Sequence, residues 1–255
     1  MRLIGNLGKN TALFNPNALK LRDFVAKGTV PPPYADHTRG IKSWGMMLNG
    51  PNTYGNGVPA AGLGCCVPAG VGHSEQVFSL GKYTPPDSLI LSTYELWGGY
   101  VLGKTNTDNG MVEGTALDDW EKDKFGGHVL AGYANPQPQN FSEIEISISE
   151  FGGVFIGLQL PNSAMTQYQN GQIWDVVKND GGIAGGHAVF CPAYHTNDPT
   201  ANKATTITAI TWGTNQKMTL AFWDKYCDES HVLLANAWQS SGLTFAALKA
   251  ELASL

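Results

Sequence analysis

The segment GLGCCVPAGVGH, residues 62–73, decides the fold of this chain. Pro68 suits the first turn of a helix, because the N–H that proline lacks has no intrahelical partner there. The small residues that follow Pro68 allow a buried helix to pack closely, although each glycine lowers helix propensity by up to about 1 kcal/mol relative to alanine. The segment therefore predicts a helix that begins at Cys65 or Cys66 and that depends on tertiary packing for its stability.

A cysteine at the start of a helix is suited to nucleophilic chemistry. A thiol with an ordinary pKa near about 8.5 is mostly protonated at neutral pH and has to become a thiolate before it attacks a carbonyl. The helix N-terminus and a neighbouring imidazolium both favour the thiolate, and an unpaired N–H at the helix start can stabilise an oxyanion. Two alternatives stay open: Cys65 and Cys66 are small buried apolar residues, or they form a vicinal disulfide.

Two later segments carry a histidine and a Trp-Gly pair on predicted strands. GGHAVF, residues 185–190, predicts a strand that begins near His187, and AITWG, residues 209–213, predicts a strand that ends at Trp212. The two residues are 25 positions apart (212 minus 187), which is within reach of one hairpin. His128 has a similar context, FGGHVLAGY, but it precedes the predicted β region, so the chain order favours His187 as the base.

The rest of the chain predicts one domain, residues 1–255, with three parts. Residues 1–60 are rich in Pro, Asn and Gly and predict an extended arm. Residues 61–140 predict a mainly helical lobe, in which 87–100 and 112–127 are helical and Thr115 with Asp118 forms a capping-type start. Residues 141–255 predict a mainly β lobe. Within it, residues 141–151 suit a helix or a strand, with a helix preferred, and residues 244–255 predict an amphipathic helix.

The order of these signals resembles that of papain-like cysteine peptidases, over roughly residues 35–240. More particularly, it resembles a divergent group of papain-like proteins from bacterial and bacteriophage genomes, on the strings KSWGMMLNG, LGCCVPAGVGH, FIGLQLP, WDVVKNDGGIAGGHAV and ITWGTNQKMT. The resemblance implies an α+β fold in which a helical lobe with a central Cys helix packs on an antiparallel β half-barrel lobe. It also implies Cys66 as the nucleophile and His187 as the base, with Cys65 as the second choice of thiol, and Trp212 as the residue that follows the orienting group.

The sequence departs from the family pattern at two positions. The asparagine that orients the family's histidine would fall at Ile210, which cannot accept a hydrogen bond, so Asn215, a backbone carbonyl or a Cys-His dyad has to replace it. The divergent group also lacks this asparagine. The family's oxyanion glutamine would fall at Ala60, and the nearest upstream amide is Asn56. Loss of one oxyanion donor typically lowers the rate by about 10²- to 10³-fold.

Composition excludes several classes of function. Sixteen basic and twenty-one acidic residues give a formal net charge of -5 with no basic stripe, so no nucleic-acid partner is expected. No apolar run approaches the roughly 20 residues that span a bilayer, and no Sec-type signal is apparent, so we expect no membrane insertion. The location is left unknown by the sequence, and the resemblance to bacterial and bacteriophage proteins implies the bacterial cytoplasm or a phage virion. There is no Cys-x-x-Cys pair and no complete phosphate loop, so we expect no metal and no cofactor.

Two functions remain open. The first is a papain-like cysteine hydrolase, of peptidase or amidase type, that acts on a peptide or amide substrate through a thioester. The second is a catalytically weak or inactive protein of the same fold that serves as a bacteriophage virion, structural or binding component, with other phage structural proteins or further copies of this chain as partners. The family's missing asparagine and glutamine favour the second function, and the paired Cys and His signals favour the first.

Overall fold

The fold comes from a computed structural model that describes residues 1–13, 15, 18–23, 25–26, 28–51 and 54–235. Over these residues it has six α-helices, seven strands and three short 3-10 turns. In chain order the helices and strands are β1 (Tyr34–Asp36), α1 (Cys66–Phe78), α2 (Asp87–Gly98), α3 (Glu113–Lys122), β2 (Leu130–Ala134), α4 (Phe141–Phe151), β3 (Val154–Pro161), α5 (Asn162–Gln169), β4 (Ile183–His195), β5 (Thr206–Thr211), β6 (Thr214–Thr219), α6 (Leu220–Tyr226) and β7 (Cys227–Ala235).

The seven strands form one antiparallel sheet in the order β2-β7-β3-β4-β5-β6, and β1 pairs with the outer part of β4. In the described chain the end strands β2 and β6 do not pair with each other. The predicted antiparallel β lobe is therefore confirmed, but its sheet is open and uncurled rather than rolled into a half-barrel.

The central strands separate two hydrophobic cores. Because side chains alternate along a strand, Phe155 and Phe190 pack in the core on the α1 side, while their neighbours Val154, Ile156 and Val189 pack in the core on the other side. Both faces are covered along β3 and along residues 187–194 of β4, and these stretches are mostly apolar. The contact between helix α1 and strand β4 therefore lies in the interior of the molecule.

Helix α1 is buried along its whole length, from Cys66 to Phe78. Its glycines permit this burial: a β-carbon at Gly70 would lie 2.3 Å from Cε2 of Phe155, and one at Gly72 would lie 2.6 Å from Sδ of Met47. The predicted close-packed Cys helix is confirmed, and it starts at Cys66.

The other helices and strands agree with the sequence-based predictions only in part. The helices at 87–100 and 141–151 are confirmed, and the helix predicted over 112–127 is shorter, Glu113–Lys122. The predicted capping start at Thr115 is wrong, because the N-cap is Val112, three residues earlier. Strands β2 and β6 and helix α5 were not predicted. The predicted helix at 244–255 lies outside the described residues. None of the helices in the described chain has the length and apolar character needed to cross a bilayer.

The packing of α1 makes a testable prediction about stability. Gly70→Ala places a methyl group against a fully buried ring, so overpacking of about 1–3 kcal/mol should outweigh the gain in helix propensity. The matched control is Gly114→Ala in α3, where a β-carbon meets nothing within 4 Å. Urea denaturation should show a lower free energy of unfolding for Gly70→Ala and an unchanged or slightly higher one for Gly114→Ala. Equal values for Gly70→Ala and the wild type would contradict this packing.

Candidate active site

Cys66 is the first residue of α1, and its side chain lies against strand β4. The backbone N–H of Ala188 donates to its sulfur over 3.5 Å, and the nearby backbone of Gly8 also favours the thiolate, so both act to lower the pKa of Cys66. The first N–H groups of a helix have no intrahelical acceptor, so the backbone N–H of Cys66 remains available to a ligand. The Cys66 residue is only 1% exposed.

His187 projects from β4 and is held from two sides. Its Nε2 lies 2.7 Å from the hydroxyl oxygen of Thr211. Its ring stacks on that of Trp212, with the centroids 4.6 Å apart and the planes at 26°. Nδ1 is buried and has no hydrogen-bond partner among the described residues. One ring nitrogen is thus held in place, and the other is unpaired.

Cys66 and His187 line one small cavity at the N-terminal end of α1. Its volume is about 10 Å³, about the least space that can hold a single water molecule. The other residues that line it are Met46, Asn49, Ala69, Gly70, His73, Ala188, Ile210, Thr211 and Trp212.

Burial controls the charge state of this pair. Desolvation raises the pKa of the Cys66 thiol to about 12. Desolvation, together with the nearby His73, lowers the pKa of His187 to about 3, and burial lowers the pKa of His73 itself to about 4. In this closed arrangement the thiol and both imidazoles are therefore neutral at pH 7.

A segment from the chain's N-terminus, residues 5–10, lies across the site; we call it the N-terminal segment. The N–H of Lys9 donates to the carbonyl of Gly186 at 3.0 Å, and the N–H of Met111 donates to the carbonyl of Gly8 at 2.8 Å. A β-carbon at Gly8 would lie 1.7 Å from the carbonyl oxygen of Gly64. The segment thus fits between the two walls of the site because residue 8 is glycine.

An amide that the sequence analysis missed, Asn49, also reaches the cavity. Its Nδ2 donates to the carbonyl of Asn6 in the N-terminal segment at 2.8 Å and to the carbonyl of Leu63 at 3.0 Å. Asn49 lies 17 residues before Cys66 (66 minus 49), but the N–H of Leu63 donates to the carbonyl of Leu48 at 2.7 Å and brings the ends of this loop together. The spacing of about six residues used in the sequence analysis could not find it.

The two amides named from the sequence lie elsewhere. Asn56 is exposed in the same loop, and Asn215 is exposed on β6 opposite Ile210. Asn215 lines a separate open concavity of about 560 Å³ that includes neither Cys66 nor His187. The side chain that bonds the ring of His187, the role predicted for Asn215, is the hydroxyl of Thr211. Thr211 directly precedes Trp212, and the sequence analysis did not consider it.

Cys65 faces away from the cavity. Its thiol donates to the carbonyl of Met47 at 3.5 Å, and it forms no disulfide with Cys66. His73, which the sequence suggested as a packing residue, borders the cavity and bonds Gln76 through Nδ1 at 3.0 Å. His128, the rejected alternative base, is exposed and does not line it.

One group of side chains next to the site has donors suited to a metal ion. Oxygen or nitrogen atoms of Glu113, Glu229 and His231 all lie within 4.8 Å of one another. However, the Nζ of Lys9 lies 2.8 Å from Oε1 of Glu229, so an ammonium already provides the positive charge there.

Comparison with known proteins gives the fold. No protein-family model matches the chain, and no curated protein matches it. The structure is similar to that of xylellain, a cysteine protease from Xylella fastidiosa, with a TM-score of 0.64 and 13% identity over 91% of this chain and 97% of that one. This chain has the papain-like fold.

A weaker structural similarity was found to digestive procathepsin L 3 of the Tenebrio molitor larval midgut. The TM-score is 0.49 at 10% identity, covering 89% of this chain and 76% of that one. The papain-like fold predicted from the Cys helix, the His187 strand and Trp212 is thus confirmed by the match to xylellain.

The buried imidazoles predict how stability depends on pH. Unfolding moves His187 from a site where its pKa is about 3 to water, where its pKa is 6.5. The unfolded chain therefore binds more protons between these values, so the stability that is fully present above pH 6.5 falls as the pH is lowered toward 3. In urea titrations at successive pH values, His187→Gln should make this decline shallower, by up to about 1.4 kcal/mol per pH unit.

The control for this measurement is His128→Gln, which replaces an exposed imidazole and should keep the wild-type slope. Identical slopes for the wild type and His187→Gln would show that His187 is not held neutral by burial.

Proposed function

We propose that this protein is a cysteine hydrolase of peptidase or amidase type, with Cys66 as the nucleophile and His187 as the general base. The observation that carries the proposal is that a thiol at a helix start and an imidazole with one unpaired nitrogen line the same cavity, although 121 residues separate them (187 minus 66). The papain-like fold, found in a cysteine protease, is consistent with it.

The reaction proceeds in two stages. The sulfur of Cys66 attacks the substrate carbonyl as its proton passes to Nδ1 of His187. The imidazolium returns this proton to the leaving nitrogen as the C–N bond breaks, and a thioester remains on Cys66. Water then attacks the thioester with His187 as the base, the S–C bond breaks, the acid is released and the thiol regains its proton.

Three groups assist this chemistry. Thr211 holds Nε2 of His187 and Trp212 supports the ring, so that Nδ1 stays directed into the cavity. The backbone N–H of Cys66 and the side-chain amide of Asn49 are the donors for the oxyanion. Because the Asn49 amide binds Asn6 in the present structure, it becomes available when the N-terminal segment leaves.

The N-terminal segment controls access and charge together. While it is in place, the site is too small for a substrate and the pair is neutral, since burial opposes both the thiolate and the imidazolium. Departure of the segment admits water and reduces this desolvation penalty. The segment does not itself present a carbonyl for attack at Gly8, whose oxygen accepts from the N–H of Met111.

Alkylation of Cys66 tests the proposal. Iodoacetamide should label Cys66 slowly in the folded wild type, because the thiol is buried. Gly8→Val cannot fit beside Gly64, so the N-terminal segment should be displaced and labelling at pH 6 should become at least tenfold faster. Adding His187→Ala should abolish this gain. The site and rate of labelling are read by peptide mass spectrometry over time.

The matched control is Leu3→Ala, which changes a residue that is 60% exposed in the same stretch of chain and should label like the wild type. If Cys66 of the Gly8→Val variant reacts equally fast with and without His187, or reacts only after unfolding, the pair is not catalytic and a non-enzymatic role of the fold is favoured.

The proposed role of Asn49 as an oxyanion donor can be tested separately from the reactivity of Cys66. In the Gly8→Val background, Asn49→Ala should slow acylation of Cys66 by p-nitrophenyl acetate about 10²-fold, because an oxyanion forms at the ester carbonyl. Alkylation by iodoacetamide forms no oxyanion and should keep its rate. Equal losses in both reactions would indicate that Asn49 acts only through folding or through the position of Cys66.

A further inference from the structure

The side chain of Lys9 is buried in a pocket of carboxylates beside the candidate active site. We call this the acidic pocket and define it by Glu113, Gly157, Asp228 and Glu229. The Nζ of Lys9 lies 2.9 Å from both carboxylate oxygens of Asp228 and 2.8 Å from Oε1 of Glu229. The Lys9 side chain is 0% exposed, whereas those of Asp228 and Glu229 are 27% and 10% exposed.

The pocket has room for a long side chain because β3 carries a glycine at this point. Gly157 pairs with Ala188 of β4 on one side and with Glu229 of β7 on the other. A β-carbon at Gly157 would lie 2.0 Å from Cε of Lys9 and 2.7 Å from Oδ1 of Asp228. Any larger residue at position 157 would fill the space that the lysine stem occupies.

The charges of the pocket do not balance without a cation. Desolvation opposes the charge on Lys9, but Glu113, Glu229 and Asp228 outweigh it and raise the pKa of the ammonium. Burial and the neighbouring Glu229 raise the pKa of Glu113, whose two oxygens are buried and have no hydrogen-bond partner among the described residues. Without Lys9, Asp228 would keep only the side-chain amide of Gln159, at 2.6 Å, and Glu229 only the ring of His231, at 3.2 Å, as side-chain hydrogen-bond partners among the described residues. No ammonium would then face the two carboxylates.

The acidic pocket is adjacent to the reacting sulfur. Lys9 directly follows Gly8, which packs against Gly64 two residues before Cys66, and its own N–H bonds the carbonyl of Gly186, which precedes His187. A peptide that replaced the N-terminal segment would therefore place one side chain in this pocket within a residue or two of the bond that is attacked.

We propose that the acidic pocket is a specificity site that selects a lysine or arginine side chain next to the scissile bond of the substrate, and that Lys9 occupies it until substrate enters. This inference rests on the proposed hydrolase function. A surface ion pair would have little influence, but here the cation is buried and two carboxylates bind it, so loss of the charge leaves both carboxylates without an ammonium.

The test uses the full-length Gly8→Val variant and three sets of dipeptidyl chloromethyl ketones, which alkylate an active-site thiol. The sets are identical except for lysine, norleucine or glutamate at one position, and each of the two positions is tested. At the position whose side chain enters the acidic pocket, the lysine probe should inactivate Cys66 at least tenfold faster than the norleucine probe. Norleucine has a similar length and no charge. The glutamate probe should be the slowest of the three.

Variants of the pocket complete the test. Asp228→Asn with Glu229→Gln should bring the lysine and norleucine rates within about twofold of each other, while Asp123→Asn, which removes an exposed carboxylate elsewhere, should keep the preference. If Gly8→Val does not fold, Lys9→Met replaces it, because it removes the two buried ion pairs of Lys9 with Asp228 and Glu229 and should release the segment.

The outcomes separate the two proposals. If Cys66 reacts rapidly and with dependence on His187, but equally with the lysine and norleucine probes, the specificity inference is wrong and the hydrolase proposal stands. If neither iodoacetamide nor any peptidyl probe reacts with Cys66 in a His187-dependent manner, the hydrolase proposal fails and the specificity inference fails with it.

Discussion

The rest of the structure depends on the close packing of helix α1 across the central strands of the sheet. Gly70 and Gly72 let the helix approach Phe155 and Met47, and this approach sets the N-terminus of the helix against β4. The sulfur of Cys66 then reaches the backbone N–H of Ala188, one residue from His187. The contact between a helix start and a strand thereby brings together two side chains that are distant in sequence.

Exclusion of water by the N-terminal segment determines the state of this site. A thiol and an imidazole that are both buried stay neutral, because a low-dielectric environment penalises charge on either one. The same segment inserts the Lys9 ammonium among carboxylates and occupies the Asn49 amide. Access, protonation and oxyanion binding therefore all depend on one short stretch of chain, held mainly by hydrogen bonds and by the fit of Gly8 against Gly64.

The sequence predicted the features that local pattern encodes. The helix at Cys66, the strand at His187 and the Trp-Gly at 212 each carry their own signal, and their order indicated the fold. The sequence did not predict Asn49, Thr211 or the role of Lys9. Asn49 reaches the site through the closure of a loop, Thr211 acts in a position where an amide was expected, and Lys9 acts through contacts more than 200 residues away in sequence. Such long-range contacts leave no periodic pattern.

The pairing of Cys66 with His187 is tested most directly by the ultraviolet absorbance of the Cys66 thiolate across pH in the open Gly8→Val variant, with Cys66→Ser in the same background as the blank. Thiolate should appear at or below neutral pH, and His187→Asn should raise the pH at which it appears, because an imidazolium stabilises it. Thiolate that forms only in the range of an ordinary cysteine, in the same way with and without His187, would contradict the pairing of these two residues.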